Sequence, residues 1–284
     1  MKEIALIEPI DYLVIGHVTQ DVIPGSYALG GTAAYSALTA AALGLRVGVI
    51  TACALNLALP ELAGIQVIRK DSPWSTTFEN RYSEGLRTQH LHHQAVMLTP
   101  EDIPIQWRNT PLVHLGPVAQ ELDPELAAAF PHSFVGVTPQ GWLRTWDDDQ
   151  KVLPCRWESA GEVLIHASAA VLSIEDVSGN EDEIQEFSEH VAVLCMTEGV
   201  DGSRIYWNRD VRAFRAPHRE EVDATGAGDI FATSFFVRYM KTHDPWESAR
   251  FATLIAANSV TRKALQGVPT AAEIKSISSE IVNV

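Results

Sequence analysis

Asp223-Ala224-Thr225-Gly226-Ala227-Gly228-Asp229 runs directly into Ile230-Phe231-Ala232-Thr233-Ser234-Phe235, a turn of small residues opening onto a helical apolar pattern. Two glycines and an alanine at a helix start leave backbone N–H groups uncovered, and these amides with the positive end of the helix dipole can hold a phosphate. A carboxylate in the first turn then stands beside the anion. There it can accept the proton of a hydroxyl as that oxygen approaches phosphorus. A plain glycine turn in which Asp229 only complements the dipole would use the same residues, so the segment has to be weighed with its surroundings. A dinucleotide fingerprint would need glycine where Phe231 stands, and the Gly-Lys pair of a Walker A loop occurs nowhere.

Outward from this segment the chain reads as alternating strands and helices. Tyr12 to Ile15 is an apolar run ending at Gly16, the small-residue stretch Gly31 to Leu43 closes at Gly44, and Val47 to Ala52 is a second run. Strand, helix, strand is the predicted order. Apolar runs recur at Leu112–Leu115, Phe134–Val137, Ala170–Ile174 and Val191–Met196, and they are continuous rather than alternating, as strands covered on both faces are. Gly226–Lys241, Trp246–Lys263 and Thr270–Val282 are predicted helices. The texture changes between Ser75 and Gln94, where Thr76, Phe78, Asn80 and Tyr82 lead to Gly85 and Arg87, Gln89, Leu91 and His93 follow. This is a two-stranded excursion suited to a lid. The expectation is one α/β domain over residues 1–284, a doubly wound and mainly parallel sheet with helices on both faces, carrying a small β lid at about 72–96.

The 284 residues include 36 acidic and 21 basic side chains, a formal charge of −15. That balance opposes nucleic-acid binding, which needs a cationic footprint. An anionic substrate would have to be held locally, by a few arginines, by helix-start amides or by a metal ion. Cys53, Cys155 and Cys195 form no CxxC pair, and the amino terminus lacks a basic segment followed by an apolar stretch and a cleavage site. No run reaches membrane-spanning length. A cytoplasmic setting is expected.

Asp223 to Asp229 resembles the DTxGAGD signature of the ribokinase-like (PfkB) carbohydrate kinases, with Ala224 in the usual Thr position. The resemblance implies an anion hole formed by Gly226, Ala227 and Gly228, with Asp229 as catalytic base and Thr225 beside the nucleotide. It extends to Gly16-His-Val-Thr-Gln-Asp21, similar to the family's strand-end Gly-x-x-x-x-Asp, and to Gly30-Gly31. Asp21, Gly30 and Gly31 would then bind the substrate, although Asp21 could instead cap the Pro24-Gly25 loop and the glycines could mark a tight helix start. Tyr35 and Thr19 stand where ribokinases often carry Asn; both changes touch the substrate pocket and disfavour ribose. Thr197-Glu-Gly199-Val-Asp-Gly202 resembles the family's nucleotide-side turn, and Asn258 its adenine-pocket position.

The metal motif departs from the family pattern. Ser173-Ile-Glu-Asp176 stands where Asn-x-x-Glu is usual, so Asp176 is the candidate for organising Mg²⁺ through water. Gln140-Gly-Trp-Leu-Arg144 could bring a guanidinium to phosphate, or Trp142 could pack on Arg144 at the surface. Of His90, His92 and His93, alternation puts His90 and His92 on one face with no third ligand nearby, where a structural zinc site needs four. The resemblance implies transfer of the ATP γ-phosphoryl group to a sugar, cyclitol or related polyol, with Mg²⁺ and an open question of a monovalent cation. A nucleoside kinase and a non-catalytic nucleotide- or sugar-binding protein of the same fold are the alternatives. The apolar residues of the Phe78–Leu91 excursion suit a homodimer formed through the lid.

Overall fold

Four wholly buried residues, Tyr12-Leu13-Val14-Ile15, form the first strand, and their side chains divide between two cores. Leu13 and Ile15 point into one and Tyr12 and Val14 into the other, as the two-residue period of a strand requires. A computed structural model describes residues 7–83 and 86–282. Its strands are β1 (Tyr12–Ile15), β2 (Thr19–Ile23), β3 (Ser26–Gly30), β4 (Val47–Cys53), β5 (Gln66–Asp71), β6 (Thr76–Ser83), β7 (Leu86–His93) and β8 (Leu112–Leu115). They continue with β9 (Phe134–Val137), β10 (Arg144–Trp146), β11 (Val152–Pro154), β12 (Ala169–Ser173), β13 (Val193–Thr197), β14 (Ser203–Trp207) and β15 (Asp210–Phe214). The α-helices are α1 (Thr32–Ala42), α2 (Ala160–Leu164), α3 (Glu181–His190), α4 (Ala227–Thr242), α5 (Pro245–Ser259) and α6 (Ala271–Val282).

The main sheet runs β15-β14-β13-β12-β9-β8-β1-β4-β5. It is parallel from β5 to β13 and turns antiparallel only at its β14–β15 edge. Helices α1, α4 and α5 pack on one face, where Phe231, Phe235 and Phe236 meet Tyr12, Val14 and Val49. The other face is closed by α2, α3 and loop residues such as Trp107, Phe130 and Trp142. The doubly wound expectation holds.

The small sheet is larger than the sequence implied. It has four strands, in the order β3-β2-β6-β7, because residues 19–30 form a hairpin that pairs with β6. Asp21 therefore lies inside a strand of this sheet, in register with Phe78, and not at the end of the first strand. The alternation in Thr19–Ile23 is too short and too polar to announce a strand, and only its neighbours define it. Phe78 and Leu91, expected to be exposed, are buried against Val118 and Ala119. Among the described residues, the exposed large apolar side chains of the small sheet are instead Ile23 and Tyr27. The turn at Gly85 and the first six residues lie outside the described residues. None of the described helices is long and apolar enough to cross a membrane.

Gly136 in β9 sits directly beneath Phe236 of α4, whose ring would be 2.5 Å from a Cβ there. Gly136→Ala should therefore cost about 1–3 kcal/mol through overpacking, read as a lower urea midpoint. Gly161→Ala in α2 meets nothing closer than 3.9 Å and should be neutral or slightly stabilising.

Candidate active site

Helix α4 begins where the sequence placed it, and its start is held by three contacts. Gly226 takes a left-handed φ of 79°, and a Cβ there would stand 2.2 Å from carbons of the Tyr35 ring. Only glycine fits both demands. Asp223 braces the turn from below, accepting the Thr225 N–H at 2.9 Å and the Ala264 N–H at 2.8 Å. Above Gly228 a Cβ would meet no atom within 4 Å, so the helix start opens onto space that an anion can enter. One expected donor is spent, because the Ala227 N–H closes onto the Ala224 carbonyl at 3.1 Å.

Asp229 stands in the first turn of α4, half-buried. Burial pushes its carboxyl from the usual 3.8 up to about 6, and the charge of Asp176 adds to the rise. A hydrogen bond from the Thr32 hydroxyl and the Arg144 charge hold it below where burial alone would put it. Thr32 is the residue the sequence reading missed. Its position directly after Gly30-Gly31, at the first turn of α1, was the available signal. Behind it lies a buried polar chain in which Tyr12 Oη meets His114 Nδ1 at 2.7 Å and His114 Nε2 meets Thr138 Oγ1 at 2.9 Å. Gly116 fits between Thr32 and Thr138, since a Cβ would be 2.3 Å from Thr32 Cγ2 and 3.3 Å from Thr138 Oγ1. Burial drives the His114 pKa down to about 3, so this ring is a neutral support.

Asp21 faces the same region from the small sheet. Its Oδ2 would be 2.3 Å from a Cβ on Gly30, and its Oδ1 accepts from Thr19 Oγ1 at 3.1 Å. After burial, the charges of Asp229, Asp21 and Asp223 all raise the Tyr35 pKa, which puts these carboxylates around one ring. Tyr35 itself is 2% exposed. The expectation that Tyr35 presents itself to a substrate is corrected: the ring is the floor on which Gly226 rests. Gly31, with a φ of 86° and its Cβ position 2.5 Å from the His17 carbonyl oxygen, is the tight start of α1.

Of the residues expected on the nucleotide side, Thr197 ends β13, Gly199 and Gly202 lie in the turn that follows, Thr225 precedes α4 and Asn258 lies in α5. Ser173 and Thr197 are register partners, and Thr197 Oγ1 donates to the Leu172 carbonyl at 3.3 Å. Gly199 and Gly202 have φ of 57° and 104°, and a Cβ on Gly202 would be 2.0 Å from the Phe214 carbonyl oxygen. Thr225 is exposed, and Asn258 Oδ1 accepts from Arg219 Nε at 2.8 Å. Asp176 accepts the Ser173 N–H at 2.9 Å through one oxygen and Gln140 Nε2 at 3.3 Å through the other. Among the described residues no group of three or more His, Cys, Asp or Glu side chains could hold a metal. Such a carboxylate, with lone pairs left over and no protein cage, fits Mg²⁺ held through water and substrate phosphates.

The Gln140–Arg144 segment resolves toward the site. Gln140 reaches Asp176, Arg144 acts on Asp229, and Trp142 turns inward to stack on Trp157 at 5.2 Å. The three neighbouring histidines diverge: His92 meets Glu79 at 2.8 Å, His90 the Asp149 carbonyl at 3.3 Å, and His93 stacks on Trp74.

A carboxyl whose pKa is higher folded than unfolded binds its proton more tightly in the native state, so stability falls as pH rises between about 4 and 6. Asp229→Asn should therefore stabilise the protein at pH 7.5 by on the order of 2 kcal/mol, and the gain should vanish toward pH 4. Urea unfolding of both proteins at the two pH values checks this.

Residues 167–271 match the pfkB family carbohydrate kinase profile. No curated protein matches the sequence. Among solved structures, a pyrophosphate-dependent ribokinase-family kinase complexed with a pyrophosphate analog and myo-inositol is 21% identical, with a TM-score of 0.78, covering 93% of this chain and 99% of its own. Arabidopsis thaliana ribokinase complexed with ribose and ATP is 17% identical, with a TM-score of 0.74 and coverage of 95% and 99%. A nucleoside kinase from Methanocaldococcus jannaschii is 17% identical, with a TM-score of 0.70 and coverage of 96% and 99%. The family match covers residues 167–271, and the fold across the whole length is shared with these ribokinase-family structures.

Proposed function

We propose that the protein transfers the terminal phosphoryl group of ATP to a hydroxyl of a sugar, cyclitol or related polyol. The observation that carries this reading is the pairing of Asp229, with its carboxyl pushed up to about 6, and the uncovered helix start at Gly228. A base with a pKa just below neutrality is ionised at working pH yet retains affinity for a proton. The acceptor hydroxyl gives its proton to Asp229 as its oxygen attacks phosphorus, while the free amides of the α4 start and Arg144 face the developing negative charge. Thr32 fixes the orientation of the carboxylate. When bound, Mg²⁺ would neutralise donor phosphates, and Asp176, braced by Ser173 and Gln140, would hold it through water. The Thr197–Gly202 turn and Asn258 are the proposed nucleotide contacts.

Asp21 supports a polyol acceptor because one carboxylate accepts hydrogen bonds from two adjacent hydroxyls. Asn80 and Gln89, joined at 3.3 Å, share the register face of Asp21 and Phe78 and add amide donors and acceptors. In this reading the small sheet is a lid that excludes water. Exposed Ile23 and Tyr27 support pairing of two copies through it.

The test is a panel in which ATP or pyrophosphate is the donor and myo-inositol, ribose, fructose and nucleosides are the acceptors, with donor consumption measured. ATP-dependent phosphorylation of a polyol is expected. Consumption with nucleosides alone, with pyrophosphate alone, or with no acceptor in the panel contradicts the proposal. With the substrate found, Asp229→Asn should lower turnover by roughly a hundredfold or more. Asp21→Ala should lower acceptor kcat/KM roughly ten- to a hundredfold with ATP KM unchanged, since loss of a charged acceptor costs about 1.5–3 kcal/mol. Asp123→Ala, which removes only the cap on residues 124–127, should leave the kinetics intact.

A further inference from the structure

The connection between the two sheets runs through one wholly buried imidazole. His17 lies between β1 and β2 with no exposed surface. Its Nε2 is 3.0 Å from the Val96 carbonyl oxygen and its Nδ1 is 2.7 Å from Thr76 Oγ1. A carbonyl only accepts, so the proton is assigned to Nε2, and Nδ1 accepts from the Thr76 hydroxyl. That hydroxyl in turn accepts the Ala95 N–H at 3.0 Å. The backbone of His17 is equally engaged. Its N–H donates at 3.1 Å to Glu121, a carboxylate with no exposed surface that also accepts the Val118 and Ala119 N–H groups. Its carbonyl oxygen lies against Gly31.

These contacts join every place where the chain passes between the sheets. Thr76 opens β6, Ala95 and Val96 follow β7, residues 16–18 lead into β2, and Gly31 follows β3. Further bonds close the same seam: Val18 N–H to Thr51 Oγ1, Ala54 N–H to Ser75 Oγ and Val96 N–H to Ser72 Oγ. The small sheet is thus attached to the main one by a ring of polar bonds centred on His17, beside the apolar contact of Phe78 and Leu91 with Val118 and Ala119. Polar bonds fix angle and register because they are directional. Asp21 is four residues along the chain from His17, in the strand that this segment leads into, so a tilt of the sheet about this point moves Asp21 relative to Asp229.

We propose that His17 is a positioning residue which, by tying both roots of the small sheet to the β1 end, sets where Asp21 stands over the site. This rests on the assignment of Asp21 to acceptor binding. Burial lowers the His17 pKa, which keeps the ring in the neutral form that the two bonds require.

The test compares His17→Leu, which removes both ring bonds, with His17→Gln, whose amide can still donate toward Val96, and with Thr76→Val, which deletes one hydroxyl at constant volume. Acceptor KM and donor KM are measured for each, together with amide hydrogen exchange over residues 76–83 and 88–96. His17→Leu and Thr76→Val should raise acceptor KM roughly tenfold with donor KM within twofold, in line with loss of one or two buried hydrogen bonds. Exchange in 76–96 should accelerate while β1 and β8 stay protected, and His17→Gln should recover part of both effects. Folded His17→Leu or Thr76→Val with unchanged exchange in 76–96 overturns the proposal. So do equal rises in donor and acceptor KM, which mark a general structural role. Should the chain show no kinase activity, the exchange experiment still decides whether His17 anchors the sheet, so failure of the functional reading is separable from failure of this one.

Discussion

The site depends on how closely the start of α4 can approach the first turns of α1. Gly226 rests on the Tyr35 ring, and Gly116 lets Thr32 lie over the strand ends. Thr32 can then bond Asp229. A methyl group at either glycine would push the two helix starts apart, because the atoms beneath them are close-packed side chains with nowhere to move. The same approach buries Asp229. Burial alone would favour the neutral acid, while the hydroxyl and the guanidinium of Arg144 keep the carboxylate within reach. The raised pKa of this residue is therefore a packing result. It is stored as stability forgone at neutral pH, as functional sites commonly show.

Much of the main sheet was legible because its strands are buried on both faces. Tyr12–Ile15, Leu112–Leu115 and Phe134–Val137 begin and end where the apolar runs do. The hairpin of β2 and β3 was not legible: it is held by pairing to β6, more than fifty residues away, and its own residues are mostly polar. β10 and β11 are three residues each and escape any periodicity argument. In the candidate site, the placement of Gly226 and Asp229 at the start of α4 was readable because glycine and carboxylate positions at a helix start have few uses. Thr32 was not, since a threonine opening a helix usually serves as a cap. Tyr35 was placed correctly in the chain but given the wrong task, because sequence does not reveal which side of a ring will be covered.

In the proposed reaction, the arrangement would divide the labour of phosphoryl transfer between rigid and jointed parts. Asp229 comes from the helix covering the main sheet, Asp176 from the loop after β12, and Arg144 from the short strand β10, which follows the inward-packed Trp142. Asp21 belongs to the small sheet, whose seam with the main one includes the polar bonds around His17. Chemistry on the fixed part and acceptor recognition on the jointed part would let the acceptor enter before the site closes around it.

The most direct test of Asp229 as base is the pH dependence of kcat/KM with the confirmed acceptor. The account predicts a rate that falls on the acid side with an apparent pKa near 6, and an Asp229→Asn residual rate that lacks this limb. An acid limb near 4, or one that persists in Asp229→Asn, would contradict it.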